Sequence, residues 1–313
     1  MGTDPQHRSP MNRAATSLCG IPLHNPVIAA SGTFGYGIEF ARVVDLNALG
    51  GLVVKGISRE PMPGNAPPRL FETAAGMINS IGLQNVGVRT FVEEKLPLLR
   101  SFRTAVFVNV FGFTAEDYTE VVRVLEDAEG VDGYELNASC PNVKQGGIQF
   151  SSDPKCLGEL VSEVRRVARR PVIAKLSPNV ARIEPLARAA EEAGADAVSL
   201  VNTFIALAVD ARTRRPRLGG GFGGLSGPAI KPLALRLVYE AARAVTIPVV
   251  GMGGISSGED AAEFLVAGAS AVEVGTVNFW DPAASVRIAL ELEDFLRRQG
   301  IASVRDIVGT LEL

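Results

Sequence analysis

The chain has 313 residues, which is long enough for one large barrel or for two ordinary domains. A hydrophobic content of 47% and 33 glycines indicate a large core and many tight turns between elements. The net charge is −3, from 31 basic and 34 acidic residues that are well mixed along the chain. Because no basic stripe is present, a nucleic acid is not an expected partner.

The termini and the cysteines suggest where the protein works. No apolar run approaches the roughly 20 residues that a membrane helix needs, so no membrane association is expected. Residues 1–15 are polar and lack the apolar core of an export signal, so we expect a disordered extension over residues 1–17, and Met11 could be the native start. Three cysteines without the spacing of a metal site favour a reducing cytoplasm.

Short apolar runs rich in Val and Ile predict buried parallel strands. In chain order they are Pro26–Ser31, Gly51–Lys55, Ala105–Val110, Gly133–Leu136, Pro171–Lys175, Ala197–Val201, Pro248–Met252 and Ala271–Gly275. Helical patterns lie between them. Thr114 followed by Asp117 predicts a capped helix start, and Asp153 before Pro154 predicts another.

Strand–helix units repeated over roughly 250 residues predict a (β/α)8 TIM barrel, as a single domain over residues 18–313. A doubly wound open sheet is the competing layout, but no Gly-x-Gly-x-x-Gly fingerprint follows the first strand. Arg59–Ile78 and Asp210–Ser226 are rich in Pro, Gly and Arg and interrupt the alternation. We expect extra loops or short strands there, on the catalytic face where barrel enzymes build lids and subunit contacts.

The C-terminal ends of the strands face the active site in such a barrel. Here they carry Ser31, Lys55, Asn109, Asn137, Lys175, Asn202, Gly253, Gly254, Gly275 and Thr276. Asn at a strand end is commonly a turn former, and Lys is commonly a solvated surface residue. Lys55 and Lys175 instead follow apolar runs that should be buried, and a buried lysine needs an anionic partner. A flavin phosphate, a reduced flavin ring or a substrate carboxylate would serve.

Two glycine-containing turns predict a phosphate site. Gly253 and Gly254 end the seventh strand, and Gly275 with Thr276 ends the eighth, where the loops of TIM barrels usually hold phosphate. A helix start at Ser256 would help, because helix N-termini attract anions. A plain turn is the alternative interpretation of Gly-Gly alone, and the phosphate could belong to a cofactor or to a substrate.

Cys140 is the candidate catalytic residue. It stands in a polar segment rich in Asn, Lys, Gln and Gly, where a thiol can act as a general base or as a covalent nucleophile. His7 and His24, the two histidines, lie near the N-terminus, which disfavours Cys–His hydrolysis, and metal catalysis lacks a ligand cluster. We interpret Cys19 and Cys156 as inert.

Taken together, these residues resemble the class 1 dihydroorotate dehydrogenases, FMN enzymes of pyrimidine synthesis, and most of all their class 1B branch. The resemblance runs from Leu18 to the C-terminus. It is carried by Ala30–Gly37, Val54–Gly56, Asn79–Asn85, Val108–Val110, Leu136–Asn142, Ala174–Leu176, Val201–Thr203, Gly224–Pro228 and the two glycine-containing turns. The class 2 branch has serine in place of Cys140 and a membrane-binding N-terminal segment.

The resemblance implies roles for individual residues. FMN would be held by Ser31, Lys55, Gly56, Asn109, Asn137, Lys175, Val201, Gly227, Gly253, Gly254, Gly275 and Thr276. Dihydroorotate or orotate would be held by Lys55, Asn79, Ser80, Ile81, Gly82, Leu83, Asn137, Asn202 and Thr203. Cys140 would be the base that takes the C5 proton while FMN takes the hydride, and no metal would take part.

The class 1B resemblance also implies partners. A homodimer of this chain would join a second subunit carrying FAD and a [2Fe–2S] cluster, which passes the electrons to NAD⁺. A fumarate-dependent class 1A enzyme is the first alternative. An FMN-dependent tRNA dihydrouridine synthase should carry a basic face and a helical tail, and a non-catalytic phosphate- or flavin-binding protein would not need Cys140 in a polar segment.

Overall fold

The structure, a computed structural model, describes residues 12–138, 150 and 152–313. Its strands, numbered in chain order, are β1 (Thr16–Leu18), β2 (Ile21–Leu23), β3 (Val27–Ala29), β4 (Gly51–Ile57), β5 (Leu70–Thr73), β6 (Gly76–Asn79), β7 (Ala105–Val110), β8 (Gly133–Asn137), β9 (Val172–Lys175), β10 (Ala197–Leu200), β11 (Phe204–Leu207), β12 (Val209–Asp210), β13 (Arg215–Pro216), β14 (Phe222–Ser226), β15 (Val249–Met252) and β16 (Ala271–Val274).

The helices complete the inventory of elements. The α-helices are α1 (Val88–Thr90), α2 (Leu96–Leu99), α3 (Ala115–Glu126), α4 (Pro154–Val167), α5 (Glu184–Glu192), α6 (Lys231–Ala242), α7 (Gly258–Val266) and α8 (Ala284–Arg298). A π-helical turn, Phe91–Lys95, joins α1 to α2, and 3-10 helices cover Ile38–Arg42, Leu46–Ala48, Pro228–Ile230, Thr276–Phe279 and Val304–Ile307.

Parallel strands close into a barrel in the order β10-β15-β16-β3-β4-β7-β8-β9. The predicted (β/α)8 TIM barrel and all eight predicted strands are thereby confirmed, with bounds that shift by one or two residues. The predicted helix starts are confirmed as well. The Thr114 hydroxyl accepts from the Asp117 N–H in a reciprocal capping box, and the Asp153 carboxylate accepts from the N–H groups of Lys155 and Cys156.

Apolar side chains fill the barrel from its N-terminal end. Leu18 and Leu23, from the antiparallel β1–β2 pair, pack against inward residues such as Phe107 and Val250. Residues 14–17, which belong to the stretch 1–17 that was expected to be disordered, have defined structure. Ala14 is buried in the larger core, and β1 starts at Thr16 in the hairpin that closes the bottom of the barrel. A larger core lies between the strands and the surrounding helices.

The two irregular stretches build a second sheet over the carboxyl ends of the barrel strands. Strands β5, β6, β11 and β14 pair antiparallel in the order β11-β14-β6-β5, and we call this sheet the roof. Short strands were expected within Arg59–Ile78 and Asp210–Ser226, but β11 was missed, since it follows the barrel strand β10 almost directly. The roof places Asn79 and Phe222 over the barrel mouth, where they line the cavity described next.

Candidate active site

A cavity of about 710 Å³ lies between the barrel mouth and the roof. Its lining includes every residue predicted to bind the cofactor: Ser31, Lys55, Gly56, Asn109, Asn137, Lys175, Val201, Gly227, Gly253, Gly254, Gly275 and Thr276. It also includes every further residue predicted to bind the substrate: Asn79, Ser80, Ile81, Gly82, Leu83, Asn202 and Thr203. The predicted base Cys140 lies outside the described residues, although β8 ends at Asn137, three positions before it.

The floor of the cavity holds a buried ionic network. The Lys175 Nζ lies 3.1 Å from a Glu135 carboxylate oxygen and 3.5 Å from a Glu273 carboxylate oxygen. Glu135 also accepts from Asn109 Nδ2 at 2.6 Å and from the Ser199 hydroxyl at 2.8 Å. Sequence reasoning predicted Lys175 and Asn109 but missed both glutamates. Their signal was a single acidic residue inside each of two apolar strands.

Burial and mutual charge set the protonation of this floor. Burial alone would raise the pKa of Glu135, but the charge of Lys175 and hydrogen bonds from its neighbours lower it overall. Burial opposes the charged form of Lys175, yet the two carboxyl groups raise its pKa. The pKa of Glu273 is raised well above its usual value, first by burial and then by the charge of Glu135.

Lys55 lines the wall of the cavity, in an electrostatic environment that differs from that of Lys175. The pairing of β4 with β7 shifts register between Val54 and Ile57, and the Lys55 N–H donates to the Gly35 carbonyl. Within the described part of the chain, no carboxylate lies within ion-pair distance of its ammonium group. Burial, followed by the charge of Arg69, lowers the pKa of Lys55. Lys55 therefore presents an uncompensated cation to the cavity.

Amide side chains line the same space. Asn202 Nδ2 donates to Asn137 Oδ1 at 3.2 Å, and Asn79 Nδ2 donates to the Gly224 carbonyl of the roof at 3.3 Å. Among the described residues, the buried Asn109 Oδ1 has no hydrogen-bond partner. Buried polar atoms are rarely left without one, so this acceptor marks a place where a ligand N–H fits.

Close backbone approaches shape the substrate segment, residues 79–83. Gly82 has φ +73°, and a Cβ there would lie 2.5 Å from the Asn65 N atom, so the turn needs glycine. A Cβ at Gly224 would lie 1.9 Å from the Thr203 hydroxyl, so that glycine lets Thr203 reach the roof. Both contacts hold predicted substrate residues in place.

The predicted phosphate end has one feature that differs from expectation. Gly253 and Gly254 have φ +126° and +77°, and a Cβ at Gly254 would lie 2.9 Å from the Gly227 carbonyl oxygen. The N–H groups of Ser256 and Ser257 donate to the Asp260 carboxylate. The helix start expected to assist phosphate is therefore already capped from within. The glycine backbone remains as the cradle.

The two described cysteines are free thiols away from this lining. Burial and then the charge of Asp196 raise the pKa of Cys19 to about 12. The pKa of Cys156 is also raised, by burial and then by Asp153 and Glu159. Raised pKa values disfavour the reactive thiolate, which agrees with the interpretation of both residues as inert.

The sequence of this chain is similar to those of known proteins. Residues 13–296 match the family model described as dihydroorotate dehydrogenase. A protein of Solibacter usitatus (strain Ellin6076) named "Putative dihydroorotate dehydrogenase A (fumarate)" is 70% identical over 298 residues, covering 95% of this chain and 98% of the relative.

Other relatives carry a different name. Proteins called "Dihydroorotate dehydrogenase B (NAD(+)), catalytic subunit" occur in Pelobacter propionicus (strain DSM 2379 / NBRC 103807 / OttBd1), at 53% identity over 95% of this chain and 97% of the relative, and in Geobacter metallireducens (strain ATCC 53774 / DSM 7210 / GS-15), at 52% over 96% and 98%. In the described ranges, no helix combines the length and apolarity that a membrane crossing requires.

Proposed function

Because the chain belongs to the dihydroorotate dehydrogenase family, we propose that it oxidises dihydroorotate with Cys140 as the base and passes the electrons to NAD⁺ through a partner subunit. The family consists of FMN-dependent oxidoreductases of pyrimidine biosynthesis, which excludes a non-catalytic binding protein and separates the chain from the tRNA dihydrouridine synthases. The observation that carries the proposal is the convergence of all the predicted cofactor and substrate residues on one cavity.

The residues of the floor and of the glycine cradle fit FMN. Asn109 Oδ1 is an orphaned acceptor suited to a ring N–H, and Lys175 is a buried cation suited to the electron-rich edge of the ring. Gly253, Gly254 and Gly275 leave room for phosphate oxygens to approach the backbone. When bound, FMN supplies the acceptor for the hydride that leaves C6 of dihydroorotate.

The wall and the roof suit the substrate. The carboxylate of dihydroorotate would neutralise the unpaired ammonium of Lys55. Amides both donate and accept hydrogen bonds, so Asn79, Asn137 and Asn202 suit the ring edge of a pyrimidine.

Cys140 would take the proton from C5. A thiol can do so when cationic or hydrogen-bonding neighbours lower its pKa, and its sequence neighbours Asn142 and Lys144 have this character. Two ionisable groups of the floor are less suited to act as a base. Lys175 is held protonated by two carboxyl groups, and Glu135 is held ionised at the bottom of the floor.

The electron acceptor is the finer part of the proposal. We favour NAD⁺, reached through a partner subunit with FAD and a [2Fe–2S] cluster bound to a central homodimer of this chain, in the cytoplasm. Relatives named as catalytic subunits of NAD(+)-type enzymes, at 50–53% identity, support this. Fumarate is the second candidate, since the relative named for fumarate is 70% identical.

The two acceptors are separated by reoxidation. The purified chain would be reduced with dihydroorotate without oxygen and then mixed with fumarate, with NAD⁺ alone, or with NAD⁺ and the flavin–iron–sulfur protein that copurifies from the native host. Return of the oxidised flavin spectrum only in the last mixture supports the proposal. Rapid return with fumarate, together with no copurifying protein, would establish the second candidate instead.

A further inference from the structure

The cavity floor contains more buried carboxyl groups than cations. Lys175, Glu135 and Glu273 have exposed fractions of 6%, 0% and 2%, and one ammonium faces both carboxyl groups. If all three were ionised, the floor would carry a buried net charge of −1. An unpaired buried charge is costly enough that such a group usually takes up or releases a proton instead.

The hydrogen-bond donors show which carboxyl group keeps its charge. Glu135 receives Lys175, Asn109 and Ser199, three donors that stabilise a carboxylate. Among the described residues, the one nitrogen donor to the Glu273 side chain is Lys175, at the longer distance of 3.5 Å. The two carboxyl groups also lie within hydrogen-bond reach of each other, and such a bond requires a proton on one of them.

We propose that Glu273 carries that proton and donates a hydrogen bond to the Glu135 carboxylate. Glu273 thereby acts as a positioning residue that keeps the floor beneath the reaction site electrically neutral. A neutral floor lets Lys175 attract negative charge that develops above it, whereas an ionised Glu273 would repel that charge. This catalytic consequence rests on the proposed function. The shared proton itself does not, because it follows from groups inside the barrel.

The surroundings of Glu273 agree with a held proton. On either side in the barrel ladder it pairs with Met252 of β15 and Ile28 of β3, which are apolar. The ionisable groups facing it come from across the barrel, Glu135 on β8 and Lys175 on β9. Burial and the charge of Glu135 raise the pKa of Glu273 further than the charge of Lys175 lowers it.

The sign of the pH effect follows from this assignment. The unfolded chain ionises Glu273 near its ordinary value of 4.5, but the folded chain keeps it protonated. Folding therefore takes up a proton as pH rises above that value, and this group makes the wild type progressively less stable. Replacing Glu273 by Gln removes the effect.

The test measures infrared spectra and unfolding by urea on the full chain carrying its FMN, for wild type, Glu273→Gln and Glu135→Gln. We expect wild type at neutral pH to show a deuterium-sensitive band of a buried protonated carboxyl group that is missing in both variants. Relative to wild type, the unfolding equilibrium of Glu273→Gln should shift towards the folded state by about tenfold per pH unit above about pH 5.

The offset between the variants locates the proton. At about pH 5, Glu273→Gln should match wild type, because Gln reproduces the neutral group. Glu135→Gln should be less stable there, because a neutral amide replaces the anion that receives three donors. Absence of the band in wild type, or a stable Glu135→Gln beside an unstable Glu273→Gln, would overturn the proposal. Flavin bleaching by dihydroorotate in the same samples reports separately on the proposed function.

Discussion

The two lysines of the cavity stand in opposite electrostatic environments. Lys175 in the floor is held between Glu135 and Glu273, and its pKa is raised. Lys55 in the wall has no carboxylate within ion-pair distance in the described structure, and burial lowers its pKa. The fold therefore supplies the counter-charge of Lys175 from within, whereas no described residue supplies one for Lys55, and we propose that a bound anion does.

This difference assigns the lysines separate tasks. Lys175 is part of the fold as well as of the site, so its loss should be felt without any ligand. The charge of Lys55 has no counter-charge among the described residues, so replacing Lys55 should chiefly weaken ligand binding. The raised pKa of Lys175 makes that lysine unsuited to act as the base, and Cys140 stays the proposed base.

The largest expected effect tests whether Cys140, and not a lysine, acts as the base. Cys140→Ser should lower turnover by about 10²–10⁴-fold, the usual effect of losing an acid–base group, while FMN content stays unchanged. Steady-state kinetics at neutral pH check this, with Cys156→Ser as the control that keeps wild-type turnover. Near-normal turnover in Cys140→Ser would mean that a lysine or another group acts as the base.

The second prediction concerns the floor. Lys175→Met leaves two buried carboxyl groups without their cation and should lower the free energy of unfolding by about 3–5 kcal/mol. Urea unfolding of the FMN-free chain measures it. Adding Glu135→Gln to the same chain should recover part of the loss, because the uncompensated charge is gone. A loss that is simply additive in the double variant would show that the pair is not coupled.

The third prediction concerns Lys55 in the wall of the cavity and the binding of dihydroorotate. Lys55→Met removes a charged hydrogen-bond donor to the substrate carboxylate, so the KM for dihydroorotate should rise by the equivalent of about 1.5–3 kcal/mol. The FMN-free chain should keep or gain stability, since an uncompensated cation disappears. Binding of an uncharged pyrimidine should change much less, and an equal loss for both ligands would refute the carboxylate contact.

The smallest effect is a contrast in alkaline pH dependence, measured by unfolding the FMN-free chain from about pH 8 to about pH 12. Lys55, with a pKa lowered from 10.5, destabilises the folded chain while it is charged. The free energy of unfolding of wild type should therefore rise relative to that of Lys55→Met as pH rises towards that value. Lys175, with a pKa raised from 10.5, should lose its stabilising effect above that value relative to Lys175→Met. Parallel slopes would contradict the comparison.

Much of this site could be predicted because the strands of a barrel have a recognisable sequence pattern. Continuous apolar runs mark buried parallel strands, and the residue after each run must lie at the barrel mouth, which places Lys55, Asn109 and Lys175 in one cavity. Pairing across the barrel could not be predicted, since it depends on which strands face each other. Glu135 and Glu273 are 138 positions apart by number and come together, beside Lys175, only in the folded barrel.

Other differences have equally local reasons. The Asp260 side chain folds back onto the start of α7 and occupies N–H groups that sequence reasoning offered to phosphate. Strand β11 was missed because it forms only by pairing with β14, and a four-residue strand carries little signal of its own. The first feature is a capping contact within the start of α7, whereas the second depends on a strand farther along the chain.

The most direct test of the central claim, that one cavity holds both the flavin and dihydroorotate, is to mix the FMN-loaded chain with dihydroorotate in the absence of oxygen and follow the flavin absorbance. We expect rapid bleaching in wild type, and in Lys55→Met bleaching only at much higher dihydroorotate concentration. A flavin that stays yellow at saturating dihydroorotate, or bleaching with the same concentration dependence in both chains, would contradict it.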